Sequence, residues 1–354
     1  MNIERRKDDH IDICLEKAVR TTRNHWDDVH LIHQAVPACD LEDIDIRTSF
    51  LGKDLAAPFI ISAMTGGSRK ALEFNRLLAK VASEFQIGFG VGSQRSGLER
   101  GDHEGSYSLV KEYDIPLVLA NLGAPQFSRR SGDKDPQYSI DDVNRAIDMV
   151  GGDAICIHLN YLQEVVQPEG DTNVGGLLDN LSMISSETNV IAKETGAGVS
   201  RDAALMLKEA GVAGIDVGGA SGTSFAAVES YRDRDGTGRS SRLGRTFWDW
   251  GIPTPASIKL AKVGLPLIGT GGLRNGQDVV KAISVGADIG GMAWPLLIAA
   301  SNGYKELERE VSCIIDEIRA GLFLTGCRSL SSSMRPKHVM TGLTREYIDS
   351  IAIL

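Results

Sequence analysis

From Pro58 onward the chain alternates short apolar runs with amphipathic segments of helical length, and it does so eight times. The runs are Phe59–Met64, Gly88–Ser93, Leu117–Leu122, Ala154–Asn160, Val190–Glu194, Gly214–Gly218, Leu265–Thr270 and Ile289–Ala293. Helical patterns lie between them at Ala71–Phe85, Asp141–Met149, Arg201–Ala210, Thr254–Lys262 and Asn275–Val285. Asp141 and Ser200 stand where helix caps belong, and Gly211, Gly264 and Gly286 where helices stop. Eight βα units on one chain predict an α/β fold, a closed (β/α)8 TIM barrel in preference to an open doubly wound sheet. Residues 56–354, with a helical tail, form that barrel, and residues 1–55 form an extension before it. Outside the repeat lie this extension, the Ser221–Trp250 connection and the tail beyond about Gly303. The connection is polar and glycine-rich at 232–242, which fits a lid over a site or a solvated surface excursion.

Composition narrows the partners. A net charge of −9 argues against a general nucleic-acid binder, because phosphate affinity needs a basic surface. It leaves room for a local cationic pocket. The longest uncharged run, Ile289–Tyr304, is too short to span a bilayer, so no membrane association is expected. The charged start, Met1 to His10, lacks the apolar stretch of a signal peptide. Five cysteines at 14, 39, 156, 313 and 327 form no CxxC pair, which suits reduced thiols in a cytoplasmic protein.

The fourth apolar run is the most informative about chemistry. Strand residues alternate between faces, so Ile155, Ile157 and Leu159 share one face and Cys156, His158 and Asn160 the other. Gln163 and Glu164 follow just past the strand's carboxyl end, where ligands sit in parallel α/β folds. A core strand has no structural need for His, Asn, Gln and Glu at its tip.

The other strand ends add to this set. They include Met64-Thr65, Ser93-Gln94-Arg95, Asn121, Lys193-Glu194, Gly222-Thr223, Thr270-Gly271-Gly272 and Ala293-Trp294. Loops after strands seven and eight of a barrel bind phosphate through backbone N–H groups, and glycine lets the backbone approach the anion closely. The run Thr270 to Gly276 leading into a helix fits that role; tight strand–helix packing is the plainer reading. Three readings fit Lys193: a Schiff-base nucleophile, a fixed cation beside a cofactor's negative charge, or a lysine paired with Glu194. Arg6, Lys7, His10 and Arg95 can together clamp a diphosphate, although Arg6 and Lys7 alone would read as a polar terminus. Glu164, near Asp171, can place Mg²⁺ on the same diphosphate. His158 is either a hydrogen-bonded barrel residue or part of the site.

Taken in order, Arg6-Lys-Asp-Asp-His10, Ala63-Met-Thr-Gly-Gly67, Val91-Gly-Ser-Gln-Arg95, Asn121-Leu-Gly123, His158-Leu-Asn160, Gln163-Glu164, Pro168-Glu-Gly-Asp171, Lys193-Glu194, Gly222-Thr223 and Gly271-Gly272 form a combined signature. It closely resembles the flavin-dependent, type 2 isopentenyl diphosphate isomerases, from residue 5 to about 325. The resemblance implies a barrel that binds FMN and Mg²⁺, takes NADPH as reductant and assembles as a homo-oligomer, a tetramer or octamer. It implies FMN contacts at Ala63, Met64, Thr65, Ser93, Asn121, Lys193 and Thr223, with the flavin phosphate on Gly271, Gly272, Ala293 and Trp294. It implies that Arg6, Lys7, His10, Ser93, Gln94, Arg95 and Gln163 hold the substrate, isopentenyl or dimethylallyl diphosphate, and that Glu164 holds the metal. One departure is Ser221-Gly222 after strand six, where the family usually has a second glycine pair, so a local adjustment near the flavin phosphate is expected.

The implied reaction moves a double bond without net redox change. It is similar to what relatives are thought to do with reduced FMN as acid and base, since ordinary side chains are weak acids toward an alkene. Lys193 would then stabilise the anionic reduced ring, and Gln163 and His158 would orient groups or relay protons. Three rivals remain: a 2-hydroxy acid oxidase on the same barrel, a Schiff-base lyase using Lys193, and a non-catalytic flavin-binding barrel. The oxidase needs a His base with an adjacent Arg late in the barrel, but no histidine occurs between His158 and His338.

Overall fold

The computed structural model describes residues 3–101, 103–129, 132–133, 135–233, 236–330 and 335–351. Eight parallel strands close on themselves: β1 (Phe59–Ile61), β2 (Gly88–Gly90), β3 (Val118–Gly123), β4 (Ala154–Leu159), β5 (Val190–Glu194), β6 (Gly214–Asp216), β7 (Leu267–Thr270) and β8 (Ile289–Met292). Each pairs with its neighbours in sequence, and β8 returns to β1 through Gly290 opposite Phe59. The (β/α)8 barrel expected from the sequence is therefore present, strand for strand. The period of two also holds: Ile155 and Ile157 join the cluster between barrel and helices, while Cys156 joins the interior with Ile60, Leu119, Ile191 and Ile268. A hairpin of Thr48–Phe50 and Lys53–Leu55 inserts Phe50 and Leu55 into that interior cluster. Its two-residue turn puts Leu51 and Gly52 at φ of 50° and 76°, as a type I′ turn requires.

The local differences have physical causes. β1, β2 and β6 stop two or three residues before the apolar runs end, because the chain bends there into the glycine-rich mouth; Gly218, for example, has φ +45°. Asp141 is not a cap. The helix Ile140–Val150 starts after Ser139, whose N–H donates to Asp142 at 2.9 Å, so Asp141 lies inside the first turn. Ser200 does cap its helix, accepting from the Ala203 N–H at 3.2 Å. Gly264 is not a helix stop either, since the helix Thr254–Leu260 ends earlier.

Of the segments expected outside the repeat, the start of the tail joins it as an outer helix, while the Ser221–Trp250 connection is an insertion between β6 and the helix Thr254–Leu260. The chain beyond Gly303 forms the barrel's eighth outer helix, Tyr304–Leu324, packed on the helices Gly276–Val285 and Trp294–Ser301. The Ser221–Trp250 connection holds two helices, Phe225–Arg232 and Arg239–Thr246, which pack on each other. Helix α1 (Ile3–Glu16) lies against Phe225–Arg232 and the Trp294 helix, at the mouth. Further on, Val29–Leu31 pairs antiparallel with His338–Met340, joining the two ends of the chain.

Candidate active site

A cavity of about 310 Å³ opens at the carboxyl ends of the strands and is lined from all eight of them and from α1. Every residue expected at the site faces it except one. Gln94 is fully buried behind the wall: its Nε2 donates to the Ala146 carbonyl at 2.7 Å and its Oε1 accepts from the Asn121 N–H at 2.8 Å. It is placed to hold the backbone of Asn121, not to meet substrate.

Adjacent strand ends form a chain of fixed polar groups. Asn121 on β3 donates its Nδ2 to the Val91 carbonyl at 3.0 Å, which leaves its Oδ1 facing His158 Nδ1 at 2.7 Å. Only the tautomer with a proton on Nδ1 satisfies that contact, so Nε2 keeps its lone pair. Burial, aided by the charges of Lys193, Lys7 and Arg6, pushes the His158 pKa down to about 3. The imidazole is neutral at physiological pH.

Lys193 on β5 is paired with Asp216 on β6, Nζ to Oδ2 at 2.7 Å, and both side chains are nearly buried. Glu194 is not its partner, because that carboxylate turns back to accept from the N–H groups of Gly196, Ala197 and Gly198 at 2.7, 2.5 and 3.0 Å. Burial opposes the charge on Lys193, but Asp216 outweighs it and raises the pKa. A protonated amine is no nucleophile, so the Schiff-base reading gives way to a fixed cation. Thr270 completes the group by donating its hydroxyl to Asp216.

The opposite side of the cavity is cationic above and acidic behind. Lys7 Nζ donates to the Ser93 carbonyl at 2.8 Å, to Ser96 at 3.1 Å and to Tyr107 at 2.6 Å, so Lys7 is no frayed terminus. Its burial, together with Arg6, lowers its pKa to about 7. His10 Nε2 meets the Glu229 carboxylate at 2.9 Å, and Gln163 Nε2 donates to the same oxygen at 2.8 Å. Arg232 bridges Glu229 and Glu169, and Arg6 lies 3.9 Å from Glu169. Burial would raise the Glu229 pKa, yet His10 and Arg232 hold it down at about 2. Arg95 reaches the cavity while paired with Glu99 at 2.8 Å. Glu229 was not singled out from the sequence. Its only signal was the short apolar run Phe225–Val228 after Ser224, inside a segment that otherwise reads as polar.

Asn160 Nδ2 donates to Glu164 at 2.8 Å and to Gln163 at 3.2 Å, while its buried Oδ1 has no hydrogen-bond partner. An unpartnered buried carbonyl oxygen beside a carboxylate is a donor set that suits Mg²⁺. No group of three or more His, Cys, Asp or Glu side chains is gathered for a metal among the described residues. Any Mg²⁺ here must complete its shell from ligand oxygens and water.

At the far end, the turns after β6, β7 and β8 meet. Added methyl groups on Gly222 and Gly272 would fall 2.5 Å from Gly272 N and 2.0 Å from the Ser221 carbonyl, so the two turns touch backbone to backbone. Ser221 accommodates its extra atoms by turning to the helix Thr254–Leu260, accepting from the Thr254 N–H at 3.2 Å. The N–H groups of Gly222, Thr223, Gly272 and Leu273 have no acceptor among the described residues. Four such donors at one end of a cavity form an anion cradle. Between the two ends, the buried hydroxyls of Ser62 and Thr65 also lack partners. Such groups fit a ligand with a polar ring edge and a phosphate tail, which is the shape of FMN.

A family model described as FMN-dependent dehydrogenase matches residues 10–100 and 189–341. Mandelate oxidase, solved with benzoyl-formic acid, superposes with a TM-score of 0.63 over 96% of this chain and 97% of its own, at 18% identity, which shows a common fold. Proteins named isopentenyl-diphosphate delta-isomerase are far closer in sequence. That of Thermoplasma acidophilum is 44% identical over 98% of this chain and 99% of its own, and that of Picrophilus torridus 41% over the same shares. That of Archaeoglobus fulgidus is 43% identical over 99% of both. With a flavin-barrel fold and full-length identity of this order, the chain belongs to the FMN-dependent isopentenyl-diphosphate delta-isomerases.

Proposed function

We propose that the protein interconverts isopentenyl and dimethylallyl diphosphate, with FMN bound across the barrel mouth and Mg²⁺ on the substrate diphosphate. The observation that carries this reading is one cavity lined both by the glycine turns Gly222-Thr223 and Gly271-Gly272 and by Arg6, Lys7, His10 and Arg95. One anion site suits a cofactor phosphate and the second a substrate diphosphate. On this reading Ala63, Met64, Thr65, Ser93, Asn121 and Thr223 flank the flavin, with its phosphate at Gly271, Gly272, Ala293 and Trp294. When bound and reduced, the flavin supplies the proton exchange at the alkene carbons, with no net redox change.

The side chains do the rest. Lys193, held charged by Asp216, offers a fixed cation to negative charge on a reduced ring. His158 presents Nε2 as an acceptor, and Gln163 is oriented by Glu229 and Asn160. Asn160 Oδ1 and the Glu164 carboxylate would hold Mg²⁺ together with diphosphate oxygens and water, neutralising charge on the diphosphate. Arg6 binds the remote diphosphate, with the Lys7 charge beside it, and so positions the alkene. Ile11, Met64, Phe225 and Leu297, which also line the cavity, would limit water near a cationic centre. NADPH is the proposed reductant and the cytoplasm the proposed location, in keeping with five free cysteines and with no helix among the described residues long and apolar enough to cross a membrane. Exposed Leu178 and Met183 on one outer helix, and Leu205 and Met206 on the next, support assembly as a homo-oligomer.

The test is direct. Purified protein supplied with FMN, Mg²⁺ and a reductant should convert isopentenyl to dimethylallyl diphosphate, and protein with oxidised flavin should not. Turnover that survives complete removal of the flavin would overturn the reading.

A further inference from the structure

The chain segment from Val19 to Trp26, between α1 and the barrel, runs along the turns after β6 and β7 and bonds to both. The Ser224 N–H donates to the Val19 carbonyl at 2.7 Å and the Thr21 N–H to the Gly222 carbonyl at 2.9 Å, so Arg20 stands opposite Thr223. Asn24 Nδ2 donates to the Gly272 carbonyl at 2.7 Å, and Trp26 Nε1 to the Gly271 carbonyl at 2.9 Å. With these carbonyls held outward by the segment, the neighbouring N–H groups are left for the cavity. Trp26 is itself fully buried, and Lys281 Nζ donates to its carbonyl at 2.9 Å.

Arg20 is the cation this segment brings to the cradle. Its guanidinium lies over the Trp294 ring, 4.1 Å from the centroid, and it lines the cavity beside Thr223 and Ala293. The Trp294 ring is pinned in turn, because its Nε1 donates to the Cys14 carbonyl at 2.9 Å. The other arginine at this end, Arg274, is occupied by Asp278 and Asp27, each at 2.8 Å. No carboxylate pairs with Arg20 among the described residues. A stacked, unpaired guanidinium next to four unsatisfied backbone donors is a site for a terminal phosphate, since the planar fork suits phosphate oxygens.

We propose that Arg20 recognises the terminal phosphate of the bound flavin and makes the protein select the phosphorylated cofactor over the bare riboflavin, with Asn24 and Trp26 as positioning residues for the glycine cradle. The inference rests on the flavin reading above and adds a selecting residue to it. Because Arg20 is exposed on its outer side, its contribution is screened and not dominant.

The experiment measures FMN and riboflavin binding to the full-length protein by flavin fluorescence, for the native chain and for Arg20→Gln and Arg20→Lys. Arg20→Gln should weaken FMN binding roughly tenfold, the size of one charge-assisted hydrogen bond, and leave riboflavin binding unchanged. Arg20→Lys should recover part of the loss, and added salt should weaken FMN binding more in the native chain than in Arg20→Gln. Trp26→Phe keeps an aromatic ring at this buried position and removes the N–H, and it should likewise weaken FMN more than riboflavin. Equal losses for both flavins, or no loss for FMN in Arg20→Gln, would overturn the assignment while leaving the flavin reading intact. A native chain that binds neither flavin would overturn both.

Discussion

Lys193 Nζ and Asp216 Oδ2 face each other at 2.7 Å across paired positions of β5 and β6, at the centre of the barrel mouth. Asp216, 23 residues away in sequence, keeps the Lys193 ammonium charged in a nearly dry site. The pair's consequences can be measured in two ways.

Lys193→Ala removes the cation and leaves Asp216 buried with only the Thr270 hydroxyl for support. The bound flavin should then lose preference for its anionic reduced form. A tenfold loss of that preference corresponds to about 30 mV for a two-electron couple, toward more negative potential. Spectroelectrochemistry of the bound flavin checks the shift. The same change should lower stability by about 3–5 kcal/mol, as for other broken buried pairs, which denaturant unfolding reads independently.

On the proposed reading, the Lys7 charge beside the diphosphate should make substrate binding depend on pH. Its pKa of about 7 in the free protein means that the ammonium is lost as pH rises through neutrality. A bound diphosphate favours the charged form, so binding takes up a proton above that pH. Affinity for inorganic diphosphate, measured by calorimetry with Mg²⁺ present, should be level just below pH 7 and fall by up to about tenfold per unit above it. Lys7→Arg should flatten the profile, because a guanidinium stays charged.

Glu164 and Asn160 should govern the metal requirement. Glu164→Gln removes the charge and is expected to raise the Mg²⁺ concentration for half-maximal turnover by about 10–100-fold, the range seen when metal-site partners are altered. Asn160→Ala should act in the same direction, since it removes the unpartnered Oδ1. Mn²⁺ titration followed by electron paramagnetic resonance, with diphosphate present, separates metal affinity from turnover. An unchanged Mn²⁺ affinity in both variants would refute the assignment.

Gly272 should tolerate no side chain. Its φ is +80°, and a Cβ there would lie 2.0 Å from the Ser221 carbonyl. Gly272→Ala must separate the two turns that form the cradle, so flavin binding should be lost before the fold is. The backbone strain alone costs about 1–3 kcal/mol. Flavin fluorescence and thermal unfolding of the apoprotein give the two readings.

His158, Asn160, Gln163 and Glu164 were legible because a period of two and a strand end suffice to place them together at one mouth. The barrel itself was legible for a related reason: strand and helix periods are local, and eight repeats leave few ways to close a parallel sheet. Glycine positions also carried over, since the need for an unhindered backbone is a local property. Gln94 was carried over from the family resemblance with its neighbours Ser93 and Arg95, and the order of residues does not show that its amide turns behind the wall to Ala146 and Asn121. Glu229 was missed because its burial depends on α1 and the Phe225–Arg232 helix meeting, two segments more than 200 residues apart.

Thus the sequence alone determined the eightfold fold, the mouth at which chemistry gathers and the kinds of residue found there, because propensity, periodicity and backbone sterics act over a few residues. Pairing and protonation were decided only by tertiary structure. That Lys193 answers to Asp216 and not to Glu194, that His158 is neutral with its Nε2 free, and that Arg20 stands unpaired over Trp294 are facts about distances between remote segments. Electrostatic energy depends on those distances and on burial, and neither is written in the order of residues.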